Sequence, residues 1–391
     1  MSEKRISRKE LAKQNRKQNK KRKTLRTLLI VAITVILVYI TGIYGASLAY
    51  LGDFVASGMT YLQIGGGFPV EDDFSSYLQG ENMGSGLAVL TKDNFKVYSP
   101  TARNVFTYSH SMTNPVVSTS RNRAVLYESN GTSLKVANNH NILFQQEMEN
   151  NIIHACISDS NRVAVTTRSS SYNGEVRVYN FNMDQRFAWY CATGFPVYST
   201  LSESGRSLAV CAVQTVDDLL ENSIHVIDAS RGEEKFSITS GSYPNRLIFI
   251  DDSRLLIAYS DRLVLWDTAN NAQLAQYSFN GKSILALEVS QPYIAVAFGD
   301  YNRETVSQVA LLSYEFEEKM KTDIPEGVKD LSVARSRIYV LGYEKIYEYD
   351  YAANLLSTAD AGVLTRGLVT WNGTVVIDST SVSRVEKTKS R

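Results

Sequence analysis

A chain of 391 residues with 44% hydrophobic and 21% charged residues can bury a substantial core and falls outside the intrinsically disordered class. Three scattered cysteines exclude a disulfide-built scaffold, since an odd set leaves at least one thiol unpaired in the monomer. The net charge of +1 conceals a division: residues 1–26 hold twelve Lys/Arg against Glu3 and Glu10, so the remainder is acidic.

Residues 1–26 read as a basic cytoplasmic tail and residues 27–51, from Thr27 to Leu51, as a transmembrane helix. No charge falls between Arg26 and Asp53, and at about 1.5 Å per residue the run reaches about 37 Å, enough for a hydrocarbon core of about 30 Å. Lys and Arg ahead of the helix keep the amino terminus inside, which places the remainder on the outer side of the cell membrane. A cleaved signal peptide is the competing reading, because Ser47-Leu48-Ala49 has the small-x-small form of a cleavage site. The apolar run, however, exceeds the usual length of a signal h-region. The run Lys20-Lys21-Arg22-Lys23 is explained by topology alone, so no nucleic-acid partner is expected. Gly42/Ala46 and Gly45/Ala49 are small-xxx-small pairs that would support at most a weak homodimer through the anchor. Residues 52–66 then read as a flexible linker ending in glycines.

From residue 67 to 386 a short apolar run, a turn and an alternating segment recur eight times. The runs include Leu87-Ala88-Val89-Leu90 and later Ile338-Tyr339-Val340, with centres about 37 to 47 residues apart, the spacing of a four-stranded propeller blade. The segments that follow align as Lys96-Val97-Tyr98-Ser99, Lys135-Val136-Ala137-Asn138, Arg177-Val178-Tyr179-Asn180 and His225-Val226-Ile227-Asp228. No amphipathic helical stretch interrupts them, apart from one helical turn expected at 216–222. The fold class is therefore all-β: an eight-bladed β-propeller, or seven-bladed if one weak unit is not a blade, preceded by one transmembrane helix. The last unit has three strand-like runs, and Phe68-Pro69-Val70-Glu71 is expected to supply its missing outer strand and close the ring. Asn130-Gly131 falls where a type I′ hairpin turn is wanted. Residues 387–391 read as a disordered end.

The opening Gly67-Phe68-Pro69-Val70, the run Leu87-Ala88-Val89-Leu90, His110 followed by Pro115, and an Arg123…Tyr127 strand together resemble a family of membrane-anchored β-propellers of unknown function from Gram-positive bacteria. The resemblance covers roughly residues 60–385 and implies fold and location only. WD40 and quinoprotein propellers are similar more loosely, since Trp266-Asp267 is the sole Trp-Asp pair.

Nothing matches a catalytic motif, and the chain is read as a non-enzyme without cofactor or metal. His154 and His225 are expected as strand residues with satisfied hydrogen bonds, and Cys156, Cys191 and Cys211 as small core residues. Adjacent acids at Asp72-Asp73, Asp217-Asp218, Glu233-Glu234, Asp251-Asp252 and Glu317-Glu318 read as solvated turns, because neighbours in a strand point to opposite faces. A carboxylate pair for a glycoside hydrolase would have to come from different blades.

Three turns between second and third strands carry insertions, at 168–174, 214–222 and 299–307, and all three emerge on one face of the disc. Loops on a rigid scaffold carry binding residues, which makes Tyr172, Asp217, Asp218, Glu221, Tyr301, Arg303 and Glu304 the candidate partner-binding side chains. The expected function is a membrane-tethered extracytoplasmic protein-interaction scaffold or sensor for an envelope or membrane protein. A small-ligand or glycan receptor using the central channel, or a propeller glycoside hydrolase, are the alternatives.

Overall fold

A computed structural model of the chain describes residues 27, 29–30, 44–334, 336–362 and 364–385. The basic tail, most of the expected membrane helix (27–51) and residues 387–391 lie outside the described residues. Within them, no helix is long and apolar enough to cross a membrane. The chain divides into Met1–Gly52 and Asp53–Arg391, and the second unit is the propeller.

Eight four-stranded antiparallel sheets form the blades, at 77–109, 115–147, 152–191, 195–240, 244–278, 283–324 and 328–360, with the eighth built from 365–384 and Val70–Glu71. The ring closes as the sequence predicts, with Val70 opposite Val382 and Glu71 opposite Ser381. Eight blades, not seven, are present. The seam is reinforced by Trp371, fully buried, whose Nε1 donates to the Gly84 carbonyl at 3.0 Å and so joins the last blade to the first. Gly84 has φ +64, and a side chain there would strike the Arg121 carbonyl, so the turn beneath Trp371 requires glycine.

The core is not one mass but eight, each filling the gap between neighbouring blades. Second strands are buried on both faces, as in Gly86–Thr91, which explains why they read as unbroken apolar runs. Outer strands such as Asn104–Ser109 alternate between exposed and half-buried, and inner strands such as Tyr77–Met83 line the central channel.

Several local readings need correction. Residues 52–66 are not a flexible linker, since the helix Tyr44–Leu62 runs through most of them. Residues 216–222 form no helical turn, because the strands Ser207–Val216 and Leu219–Asp228 extend the second hairpin of blade 4 to a two-residue turn. That turn, with Asp217 at φ 49 and Asp218 at φ 62, has the two left-handed residues of a type I′ turn, whereas at Asn130-Gly131 only Asn130 does. His225 is satisfied by Ser223 and Glu234, but His154 keeps its Nδ1 buried without a partner. The three cysteines are free and buried in the core, and burial pushes the Cys156 and Cys211 thiols up to about 12 and Cys191 to about 11.

Candidate functional site

The propeller has two unlike faces. On one lie the turns from first to second and from third to outer strands, and here the chain joins the propeller, so it is called the tether face. Asp53 pairs with Arg123 at 2.7 Å, with side chains only 2% and 6% exposed. Arg123 also donates to the Phe181 carbonyl, and Asn138 reaches the other Asp53 oxygen. Farther along the helix, His140 Nε2 lies 3.0 Å from both the Ala56 carbonyl and Thr60 Oγ1, and Ser57 donates to Asn122. The Gln63 carbonyl accepts from Ser99 and Thr101. Residues 53–65 are thus strapped across turns of blades 1 and 2, and Arg123 links the strap's anchor to blade 3.

A polar cavity of about 460 Å³ occupies the channel and reaches this face at Arg121, Asp159 and Glu203. Its wall includes Glu81 of blade 1, Arg246 of blade 5 and Glu288 of blade 6. Burial pushes the Glu288 carboxyl up to about 7 and raises Glu81. Burial likewise raises Asp330 of blade 7, whose charge in turn raises Glu81 and Glu288, although the Leu368 and Leu331 amides at 2.8 and 2.9 Å and Arg246 favour its charged form. Gln79 donates to Glu81 at 2.8 Å, and Arg246 opposes the acids electrostatically while donating to the Leu287 carbonyl. At the mouth Arg121 bridges Asp159 and Glu203 at 2.9 and 2.7 Å. Among the described residues no group of acids, histidines and cysteines has the arrangement of a metal site.

No sequence signal marks Glu81, Arg246, Glu288 and Asp330, since each is one residue of an inner strand far from the others in the chain. The doubled acids have local duties instead: Asp72 holds Lys96 and Tyr98, Asp251 holds Arg254, and Asp252 accepts from the Ser204 amide.

The opposite face carries the blade-to-blade connections and the turns between second and third strands, including all three insertions. Tyr172 packs its ring on Tyr190 of the same blade, with centroids 4.8 Å apart. Asp217 and Asp218 form the exposed hairpin tip, and Glu221 accepts from Gln214 at 2.7 Å. Tyr301 is 78% exposed, with its hydroxyl donating to the Ile284 carbonyl. The Arg303 guanidinium lies 4.7 Å from the Tyr343 ring, and the Glu304 amide caps Asn302. No hydrogen bond, ion pair or ring contact among the described residues joins one insertion to another, so the face presents three separate features.

The blade 4 hairpin carries apolar side chains that the sequence reading passed over. Val216 and Leu219 are register partners and share one side, while Leu220, opposite Thr215, shares the other. All are exposed, Leu219 by 73%, and Phe195 and Tyr243 are exposed nearby in the chain on the same face. The hairpin overruns its neighbours: the inner strand pairs only up to Val213 and the outer strand only from Asn222, leaving both edges of 214–221 open.

The profile of a family of unknown function, DUF5711, matches residues 68–386. The chain belongs to that family. No curated protein matches the sequence. By fold, this DUF5711 member is similar to Sqt1 of Saccharomyces cerevisiae, with a TM-score of 0.60 at 10% identity over 81% of this chain and 97% of the other. It is also similar to BamB from Moraxella catarrhalis (TM-score 0.53, 13% identity, 81% and 98% covered). Chaetomium thermophilum Sqt1, solved bound to the N-terminus of the ribosomal protein L10, gives a TM-score of 0.55 at 13% identity, with 81% and 98% covered. At such identities the DUF5711 member shares a fold with these proteins and nothing more specific.

Proposed function

We propose that this chain is a non-catalytic, membrane-tethered scaffold that holds a protein partner on the face opposite its tether, outside the cell membrane. The observation that carries the reading is the blade 4 hairpin: a rigid extension with exposed Val216, Leu219 and Leu220 and two unpaired strand edges. Apolar side chains and open edges facing solvent are costly unless a partner covers them. A propeller of the same fold bound to a protein N-terminus supports protein as the partner class. The membrane location rests on the uncharged run 27–51 and the basic residues before it. In-cell crosslinking tests the proposal. Photoreactive residues at Leu219, Tyr172 and Tyr301 should trap one discrete protein, and probes on the short turns at Asn94 and Asn130 should not. Equal trapping from both sets would remove the loop-face reading.

The channel favours a second reading, a receptor for a small polar ligand such as a glycan, because Glu81, Glu288 and Arg246 converge on one cavity. Such a ligand should raise the unfolding temperature through binding linkage, and Glu288→Gln should abolish that rise.

A further inference from the structure

The third strands of four consecutive blades place a basic side chain at one register position: Lys96, Lys135, Arg177 and His225 lie opposite Val89, Leu126, Val165 and Val210 of their second strands. Each is directed toward the preceding blade. Three of the four meet a carboxylate at 2.8 Å: Lys96 meets Asp72, Arg177 meets Glu175, and His225 meets Glu234. Lys135 is 5% exposed and has no carboxylate in ion-pair contact among the described residues. Its ammonium donates to Ser133 Oγ at 2.6 Å and lies 5.9 Å from the Tyr108 ring. A buried ammonium without a contacting counter-ion is costly, and burial accordingly lowers its pKa, although the more distant Glu147 and Glu128 carboxylates act to raise it.

Beside Lys135, where no carboxylate makes ion-pair contact, the crevice between blades 1 and 2 opens into a cavity of about 490 Å³, lined by Tyr108, His110, Glu128, Lys135, Gln145 and Glu147 among others. Both ring nitrogens of His110 are buried without a hydrogen bond of normal geometry, and the Thr91 carbonyl acts on the ring electrostatically. Glu128 accepts from the Thr113 amide and Glu147 from Thr132 Oγ1, each through one oxygen. Two carboxylates and one ammonium in the same wall offer partners for both signs of charge. A molecule with both charges matches them.

We propose that this crevice binds a small zwitterion, a free α-amino acid or a short peptide. Its carboxylate takes on Lys135 the place that Asp72, Glu175 and Glu234 take on the other three basic side chains, and its ammonium meets Glu128 and Glu147. The site is separate from the channel and from the blade 4 hairpin. Thermal unfolding and calorimetric titration of the full chain in detergent, with L-alanine, L-alanyl-L-alanine, acetate and methylammonium as probes, test it. At least one zwitterion should raise the unfolding temperature more than acetate or methylammonium, and the stronger of the two zwitterions identifies amino acid or peptide as the natural class. Lys135→Met should weaken zwitterion binding at least about tenfold, whereas Lys96→Met, on an already paired cation, should leave it unchanged. Glu147→Gln, at an exposed position that does not endanger folding, should narrow the preference for zwitterion over acetate. No shift with either zwitterion, an equal response to acetate, or binding that survives Lys135→Met would overturn the proposal.

Discussion

The tether face and the loop face are made from the same kind of turn, yet one is fastened and the other left open. Across the tether face a helix and the residues after it are held by a buried ion pair and by side chains from blades 1 and 2, whereas the loop face ends in a hairpin whose Val216, Leu219 and Leu220 are exposed. In a propeller the blade cores already stabilise the ring, so each face is free to be spent on attachment or on display. Which use a face serves is decided by single residues such as Asp53 and Leu219 and not by the repeat.

The sharpest way to break this comparison is at Arg123. Arg123→Ala leaves Asp53 buried without its partner, which costs about 3–5 kcal/mol. The loss should be local, seen as faster amide exchange across 53–62 while the loop-face hairpin keeps its protection. Next in size is Glu288→Gln in the channel. The folded carboxyl titrates at about 7, above its ordinary 4.5, so the folded state binds more protons between these values. The contribution of this carboxyl to stability is therefore fully present below pH 4.5 and is lost as pH rises through 7. The variant should remove that decline, gaining about 2 kcal/mol over the parent at pH 8 and little at pH 5, as read from urea denaturation. His154 acts in the opposite sense. Burial between the Tyr127 and Tyr198 rings lowers it from 6.5 to about 4, so stability falls as pH drops between these values. His154→Phe should flatten that acid limb by a similar amount, about 2 kcal/mol. The smallest effect belongs to the loop face: Leu219→Ser should change stability by under about 0.5 kcal/mol while abolishing the crosslink from Tyr172 or Tyr301 if all three report one partner.

The sequence made the ring legible through its second and third strands, because Leu87-Ala88-Val89-Leu90 and its counterparts are buried on both faces and stand out as apolar runs. Inner strands such as Tyr77–Met83 carry a polar, channel-lining side that breaks the alternation, and so Glu81, Glu288 and Asp330 stayed hidden until the ring gathered them. The insertions were visible as altered spacing, but their conformation was not. Asp217-Asp218 forms the tight turn that Asn130-Gly131 advertises, because the long strands on either side impose it. Asp53 looked like one more residue of a linker, and its meaning depends on Arg123, 70 residues later. The lone Lys135 is legible only by comparison with Lys96, Arg177 and His225, where the repeat supplies its own controls.

The strap of residues 53–65 also has a mechanical consequence. The ring is closed by a strand of two residues, Val70–Glu71, and a pull on the amino-terminal side of the chain would otherwise reach that short strand directly and peel it from Val382. Instead the load enters the disc through Asp53 and Arg123 and spreads into the second strand of blade 2, upstream of the closure. The arrangement works as strain relief on a cable does, sparing the joint from whatever tugs on the line.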